Sequence, residues 1–90
     1  MMEKLILLLF VNKNEERSLN EISKIREVLD KKYKDQYELK ILDILDNWEQ
    51  AKSIGVIITP TLFKSHPFPI VKIALGGNLS QMDTLLDHLE

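Results

Sequence analysis

Asp43 and Asp46, three positions apart, are the nearest this chain comes to a catalytic carboxylate pair. General acid–base work needs two carboxyls in environments that hold their protons differently. The flanking sequence gives each a plainer task. Asp43 ends an apolar run, and Asp46 stands before Trp48 and Glu49, where it reads as a helix cap. A metal site would need both histidines, His66 and His88, beside a carboxylate such as Asp87. One lies at a proline-rich turn and the other near the last residue, so both read as surface residues. Ser65 beside His66 has no Gly-x-Ser-x-Gly frame. Gly76-Gly77 lacks the flanking pattern of a phosphate loop. Cysteine is absent, which removes disulfides, thiolate metal sites and thiol nucleophiles together. No catalytic, cofactor-binding or metal site is expected.

One motif bears on the backbone instead, either exposing it to an incoming peptide or, the reading favoured here because nothing reactive stands opposite it, shaping the fold. Thr59-Pro60-Thr61-Leu62 stands at the mouth of an apolar strand. It resembles the step of thioredoxin-like domains, where the proline is usually cis and faces a cysteine pair. A chain that keeps the proline and lacks the cysteines points away from redox chemistry and towards binding other proteins. Cis bonds make up only about 5–6% of X–Pro bonds, so the expectation of a cis Thr59–Pro60 bond rests on that resemblance.

The chain that must position these residues has 90 residues, enough for one domain spanning 1–90. A domain of this size buries roughly 60–65% of its unfolded surface, so a weak homo-oligomer would add to a thin margin, beside the monomer. The net charge of −2 disfavours a nucleic-acid partner, which needs a basic face. The apolar run of residues 5–11 is too short to span a membrane. The polar residues after it offer no small-residue cleavage site, which disfavours a secretory signal. A cytoplasmic protein without a membrane role is expected.

That first run reads as a central strand covered on both faces. A helix follows over about residues 15–32, with Leu19, Ile22, Ile25, Val28 and Leu29 inward and Glu21, Lys24, Arg26, Glu27 and Asp30 outward. Tyr37, Leu39 and Ile41 alternate with Glu38 and Lys40 as a second strand, which Leu42 and Ile44 carry into the core. A short helix should start at an Asp46–Glu49 capping box, turn Trp48, Ala51 and Ile54 inward, and stop at Gly55. Residues 61–64 form a third strand, residues 67–69 a proline-forced turn, and residues 70–75 a fourth strand with Val71, Ile73 and Leu75 on one face. Gly76-Gly77-Asn78 makes a turn, and a Ser80–Asp83 box opens a final helix striped by Met82, Leu85, Leu86 and Leu89. The order is β-α-β-α-β-β-α. The first two strands are parallel through a right-handed crossover and the last two antiparallel, giving an α/β fold with a mixed four-stranded sheet.

The residues also resemble a family nearly end to end. Leu9-Phe10-Val11 with Asn14 and Ser18, the run from Tyr37 to Asn47, Thr59-Pro60-Thr61-Leu62 with Lys64, Pro67-Phe68-Pro69, and Asn78-Leu79-Ser80 follow the KaiB family in order and spacing. The spelling His66-Pro67-x-Pro69 is also similar to the KaiB-like sensor domain of the kinase SasA. The resemblance implies a non-enzymatic, clock-type adaptor whose partner is a KaiC-like ATPase. A sensor domain acting with a kinase outside the clock is the alternative, and a thioredoxin-derived redox enzyme a third reading, disfavoured by the missing thiols. It implies two accessible folds as well, a thioredoxin-like one and a KaiB ground-state fold, whose packings differ by only a few kcal/mol. The strand, turn and capped helix read from residues 70–89 favour the thioredoxin-like fold as the resting state. The chain departs from the family at residues 52–57, where family members carry acidic residues and a lysine.

Partner contacts are expected from two places. Tyr37, Glu38 and Lys40 lie on the second strand, an edge of such a sheet, where a partner strand can add; charged Glu38 and Lys40 equally suit an edge protected against pairing. Trp48, with Glu49 and Lys52 on the short helix, is either core or an anchor for a partner.

Overall fold

The computed structural model describes residues 4–74, the side chains of residues 17 and 18 excepted. Six elements follow in order: β1 (Leu5–Val11), α1 (Glu16–Tyr33), β2 (Tyr37–Asp43), α2 (Trp48–Ser53), β3 (Thr61–His66) and β4 (Val71–Ala74). The sheet order is β2-β1-β3-β4. β1 runs parallel to β2, β3 antiparallel to β1, and β4 antiparallel to β3. This is the expected mixed four-stranded sheet, with β1 inside it and β2 at an edge. The turn, capped helix and His88 expected beyond residue 74 lie outside the described residues.

Register assigns each side chain to a face. Leu5, Leu7, Leu9 and Val11 share one face, and Leu62 and Ile73 join them through the pairs Leu9↔Leu62 and Leu62↔Ile73. Against that face α1 lays Ile25 and Leu29, both with no exposed surface, to close the larger core. Burying each such side chain contributes about 1.5–3 kcal/mol. The other face carries Phe10, Leu42 and Phe63, which with Ala51 and Val56 form a second, smaller core under α2.

Four local expectations are corrected. Glu21 is buried at 4% exposed, and Leu19 is 44% exposed. Glu21 stands four residues before Ile25 and so shares its ridge. Lys64, 1% exposed, brings an opposite charge into the same layer from β3. The capping box does not form: α2 begins at Trp48 with Asn47 as its N-cap, and no side chain caps it. The backbone N–H groups of Asp46 and Asn47 both donate to the Asp43 carbonyl, at 3.1 and 3.0 Å, and this turn delays the helix.

Trp48 does not enter the core and is 56% exposed. The first turn of α2 lies past the last β1–β2 pair, Val11↔Asp43, where little sheet remains to cover. Finally, β1 is not covered on both faces. Ile6 is 36% exposed, because a six-residue helix is only about 9 Å long and reaches across part of its face. Gly55 does stop α2. It adopts φ 80°, and its N–H bonds to the Lys52 carbonyl at 3.1 Å.

Candidate protein-interaction site

The pairs Val11↔Asp43, Phe10↔Thr61 and Thr61↔Ala74 bring the ends of β1, β2 and β4 and the start of β3 to one end of the sheet. Three loops meet there: residues 12–15, 44–47 and 55–60. The first is held by asparagine. Asn12 Oδ1 accepts from the Asn14 N–H at 3.0 Å, and Asn12 Nδ2 donates to Glu15 Oε1 at 3.1 Å. No thiol or hydroxyl stands in it.

The second loop is organised by Asp43. Its carboxylate accepts from the Leu45 N–H at 3.3 Å, and its carbonyl accepts from Asn47 Nδ2 at 3.0 Å. Asp46 is exposed. Asp43 therefore builds a turn, and the two aspartates have separate surroundings.

The third loop carries the Thr59–Pro60 bond, which is cis. Pro60 is buried, and the Thr61 hydroxyl donates to the Ile58 carbonyl at 2.6 Å. Behind the loop, the Lys72 ammonium donates to the carbonyls of Gly55 at 3.0 Å and Ile54 at 3.4 Å. It satisfies groups that the end of α2 leaves open. A cavity of about 290 Å³ lies between Lys72, Ala74, Thr61 and residues 55–58.

Four large apolar side chains are exposed in and beside the second and third loops. Ile57 is 88% exposed, Leu45 57%, Trp48 56% and Ile58 51%. Grouped at one end of a small domain, these exposed apolar side chains make this end the candidate interaction site. Leu45, Ile57 and Ile58 are absent from the sequence-based set. The signal for two of them was an apolar run between Gly55, which ends a helix, and Pro60, which cannot donate to a ladder.

The sequence-based residues fall into two groups. Trp48, Glu49 and Lys52 are all exposed on α2, next to the loop end. Tyr37, Glu38 and Lys40 lie on the edge strand β2 and divide between its faces. Glu38 and Lys40 are exposed on the α2 side. Tyr37 turns to the α1 side, where its hydroxyl donates to Asp30 Oδ1 at 2.5 Å. Desolvation first, and then the hydrogen bond to Asp30, raise the Tyr37 pKa above its ordinary value. His66 is exposed at the far end of β3. Among the described residues no group of three or more His, Cys, Asp or Glu is placed to hold a metal ion, and no helix is long and apolar enough to cross a membrane.

A mixed sheet with a cis proline at its loop end and an apolar rim defines a thioredoxin-like domain. Solved structures bear out the class. The N-terminal domain of Synechococcus elongatus SasA superposes with a TM-score of 0.73 at 18% identity, over 99% of this chain and 82% of that one. Thioredoxin 1 of Thermosipho africanus gives 0.72 at 15% identity, over 93% and 92%. Sequence narrows the class to a family. A KaiB domain profile matches residues 8–89. The circadian clock protein KaiB3 of Synechocystis sp. is 31% identical over 99% of this chain and 85% of its own length. A circadian clock oscillator protein KaiB of Prochlorococcus marinus is 35% identical over 94% and 71%. The chain belongs to the KaiB family.

Proposed function

We propose that this chain is a non-enzymatic, cytoplasmic adaptor that binds a KaiC-like ATPase through the loop end of its sheet. The observation that carries the reading is the apolar rim of Leu45, Trp48, Ile57 and Ile58, exposed around a cis-proline loop with no thiol beside it. Trp48 is the anchor, since buried aromatics dominate interface energies. Glu49 and Lys52 flank it as rim charges that set orientation. Thr59 and Pro60 shape the loop that presents Ile57 and Ile58. Tyr37, Glu38 and Lys40 offer a second contact, where β2 can take on a partner strand.

The thioredoxin-like fold is the resting state under this reading. A fold switch of the KaiB type would appear by NMR as a second set of resonances for residues 70–89. The direct test is a pull-down of KaiC-like ATPases with the wild-type chain and with Trp48→Ala. Removing an interface anchor costs at least about 2 kcal/mol, or roughly thirtyfold in affinity. An unchanged affinity sinks the assignment of Trp48, and absence of any ATPase in the wild-type capture sinks the partner.

The likeness of fold to the SasA N-terminal domain and the His66-Pro67-x-Pro69 spelling favour one second reading, a sensor domain acting with a kinase. The same pull-down against kinases separates the two. A thioredoxin-derived enzyme would reduce disulfides; the assay is expected to be blank, and measurable turnover would overturn both binding readings.

A further inference from the structure

The loop of residues 55–60 is anchored by burial near its two ends and not between them. Val56 is buried in the second core, and Pro60 is buried just before β3. Ile57 and Ile58, which form the rim, are exposed, and Thr59 is half-buried. Behind this stretch lies the cavity of about 290 Å³, so it arches over a hollow instead of resting on the sheet. Close packing, which elsewhere fixes a chain by contact on several sides, is missing there. The backbone supplies no substitute. The N–H groups of Gly55 and Val56 bond back to the carbonyls of Lys52 and Ala51, at 3.1 and 2.8 Å. From Ile57 to Thr59 no backbone–backbone hydrogen bond holds the loop among the described residues.

Two side chains hold it instead. Upstream of the rim, the Lys72 ammonium on β4 donates to the carbonyls of Gly55 at 3.0 Å and Ile54 at 3.4 Å. Downstream, the Thr61 hydroxyl at the start of β3 donates to the Ile58 carbonyl at 2.6 Å. Thr61 pairs with Ala74, two residues from Lys72, so both side chains leave the same face of the sheet. Lys72 comes this close only because residue 55 has no side chain: a Cβ there would stand 2.7 Å from its Nζ.

We infer that Lys72 and Thr61 are positioning residues of the loop-end site, which hold Ile57 and Ile58 in the arrangement a partner meets. The inference rests on the loop end being the partner surface. Ordering a loop at an interface opposes binding, and a loop held beforehand avoids that loss. The apparent dissociation constant rises as the fraction of chains with a competent loop falls. One net hydrogen bond is equivalent to roughly fivefold in such a two-state equilibrium. Loss of one tie should therefore weaken binding by up to about fivefold, and loss of both by up to about 25-fold.

Nitrogen-15 relaxation of the free protein reads the loop directly. Order parameters of about 0.85 are expected for Ile57 and Ile58 in the wild type, and below about 0.6 when Lys72→Met is combined with Thr61→Val. Lys72→Arg with Thr61→Ser keeps both donors and should keep the wild-type values. The amides of β1 control for general loosening, and the single variants read the same effect at smaller amplitude should the pair fail to fold. Affinity for a captured KaiC-like ATPase should fall by up to about fivefold with Lys72→Met or Thr61→Val alone, and by less than about twofold with the conservative pair. Order parameters at residues 57 and 58 that the apolar pair leaves unchanged overturn the inference. So does a fall shared equally by β1, or a loosened loop that binds as tightly as the wild type. A wild-type capture without any ATPase sinks the partner reading alone, and the order parameters then decide the positioning role by themselves.

Discussion

Gly55→Ala tests how the end of α2 is tied to β4. Gly55 sits at φ 80°, and a Cβ added there meets Lys72 Nζ at 2.7 Å. A left-handed conformation costs an L-residue about 1–2 kcal/mol. The lysine tip is flexible and can withdraw from the new methyl group. Withdrawal gives up its bonds to the Gly55 and Ile54 carbonyls, at 3.0 and 3.4 Å. Because Lys72 is exposed, these contribute no more than about 1 kcal/mol. The variant should therefore lose about 1–3 kcal/mol, a fall in Tm of roughly 4–24 °C for a domain of this size.

Lys72→Met alone should cost about 1 kcal/mol, the lost bonds only. In the double variant those bonds are lost once, so it should match Gly55→Ala and fall about 1 kcal/mol short of the summed single effects. Urea unfolding followed by circular dichroism measures all four corners of the cycle. Single effects that add to within about 0.3 kcal/mol would refute the reasoning. So would a Gly55→Ala variant that loses less than about 0.5 kcal/mol, since the left-handed backbone alone exceeds that.

Other expectations follow from single features. The raised Tyr37 pKa means that the folded state holds this proton more tightly than the unfolded chain, whose tyrosine titrates near 10. Its stabilising contribution is full below about pH 10 and is lost as pH rises through the folded value; Tyr37→Phe should flatten that alkaline decline in a pH series of unfolding curves. Glu21 and Lys64 place opposite charges in one buried layer, so Lys64→Met alone should cost about 3–5 kcal/mol in urea unfolding. Glu21→Leu combined with Lys64→Met should cost less than Lys64→Met alone, and a double variant that is the worse of the two would show that the charges do not offset each other. Trp48 is the one tryptophan and is 56% exposed, so the free protein should emit like solvated indole and shift to the blue when a partner covers the loop end.

Where the sequence was legible, a period and a physical constraint agreed. The apolar run of β1, the alternation of β2 and the proline step before β3 could each be read as a strand or its start, and the parallel and antiparallel directions of the first and last strand pairs followed from connection length. What was not legible depended on the reach of one element across another. Glu21 looks like a surface residue until α1 is laid on the sheet and Lys64 arrives from β3, 43 positions later. The Asp46–Glu49 spacing matched a capping box, yet the Asp43 carbonyl holds the Asp46 N–H that Glu49 would have reached, and the helix takes Asn47 as its N-cap instead. The site was half legible for the same reason. Trp48, Glu49 and Lys52 were found because a lone tryptophan on a short helix draws notice. Leu45, Ile57 and Ile58 were not, because nothing in a short apolar run says that no element will cover it.

The length of α2 decides how much of the sheet's second face is covered. A helix of two or three further turns would reach across Leu8 and Ile6 and close the sheet's second face, as α1 closes the first with its 18 residues. At six residues it leaves both ends uncovered. One end keeps an apolar rim around the cis-proline loop, and the other keeps Ile6, Phe68 and Ile70. The second core, closed from this region by Ala51 and Val56 with Ile54 packed against them, is correspondingly the smaller one. Apolar surface left open in this way costs stability that a domain of this size has little of. A partner bound at the loop end would recover part of that loss.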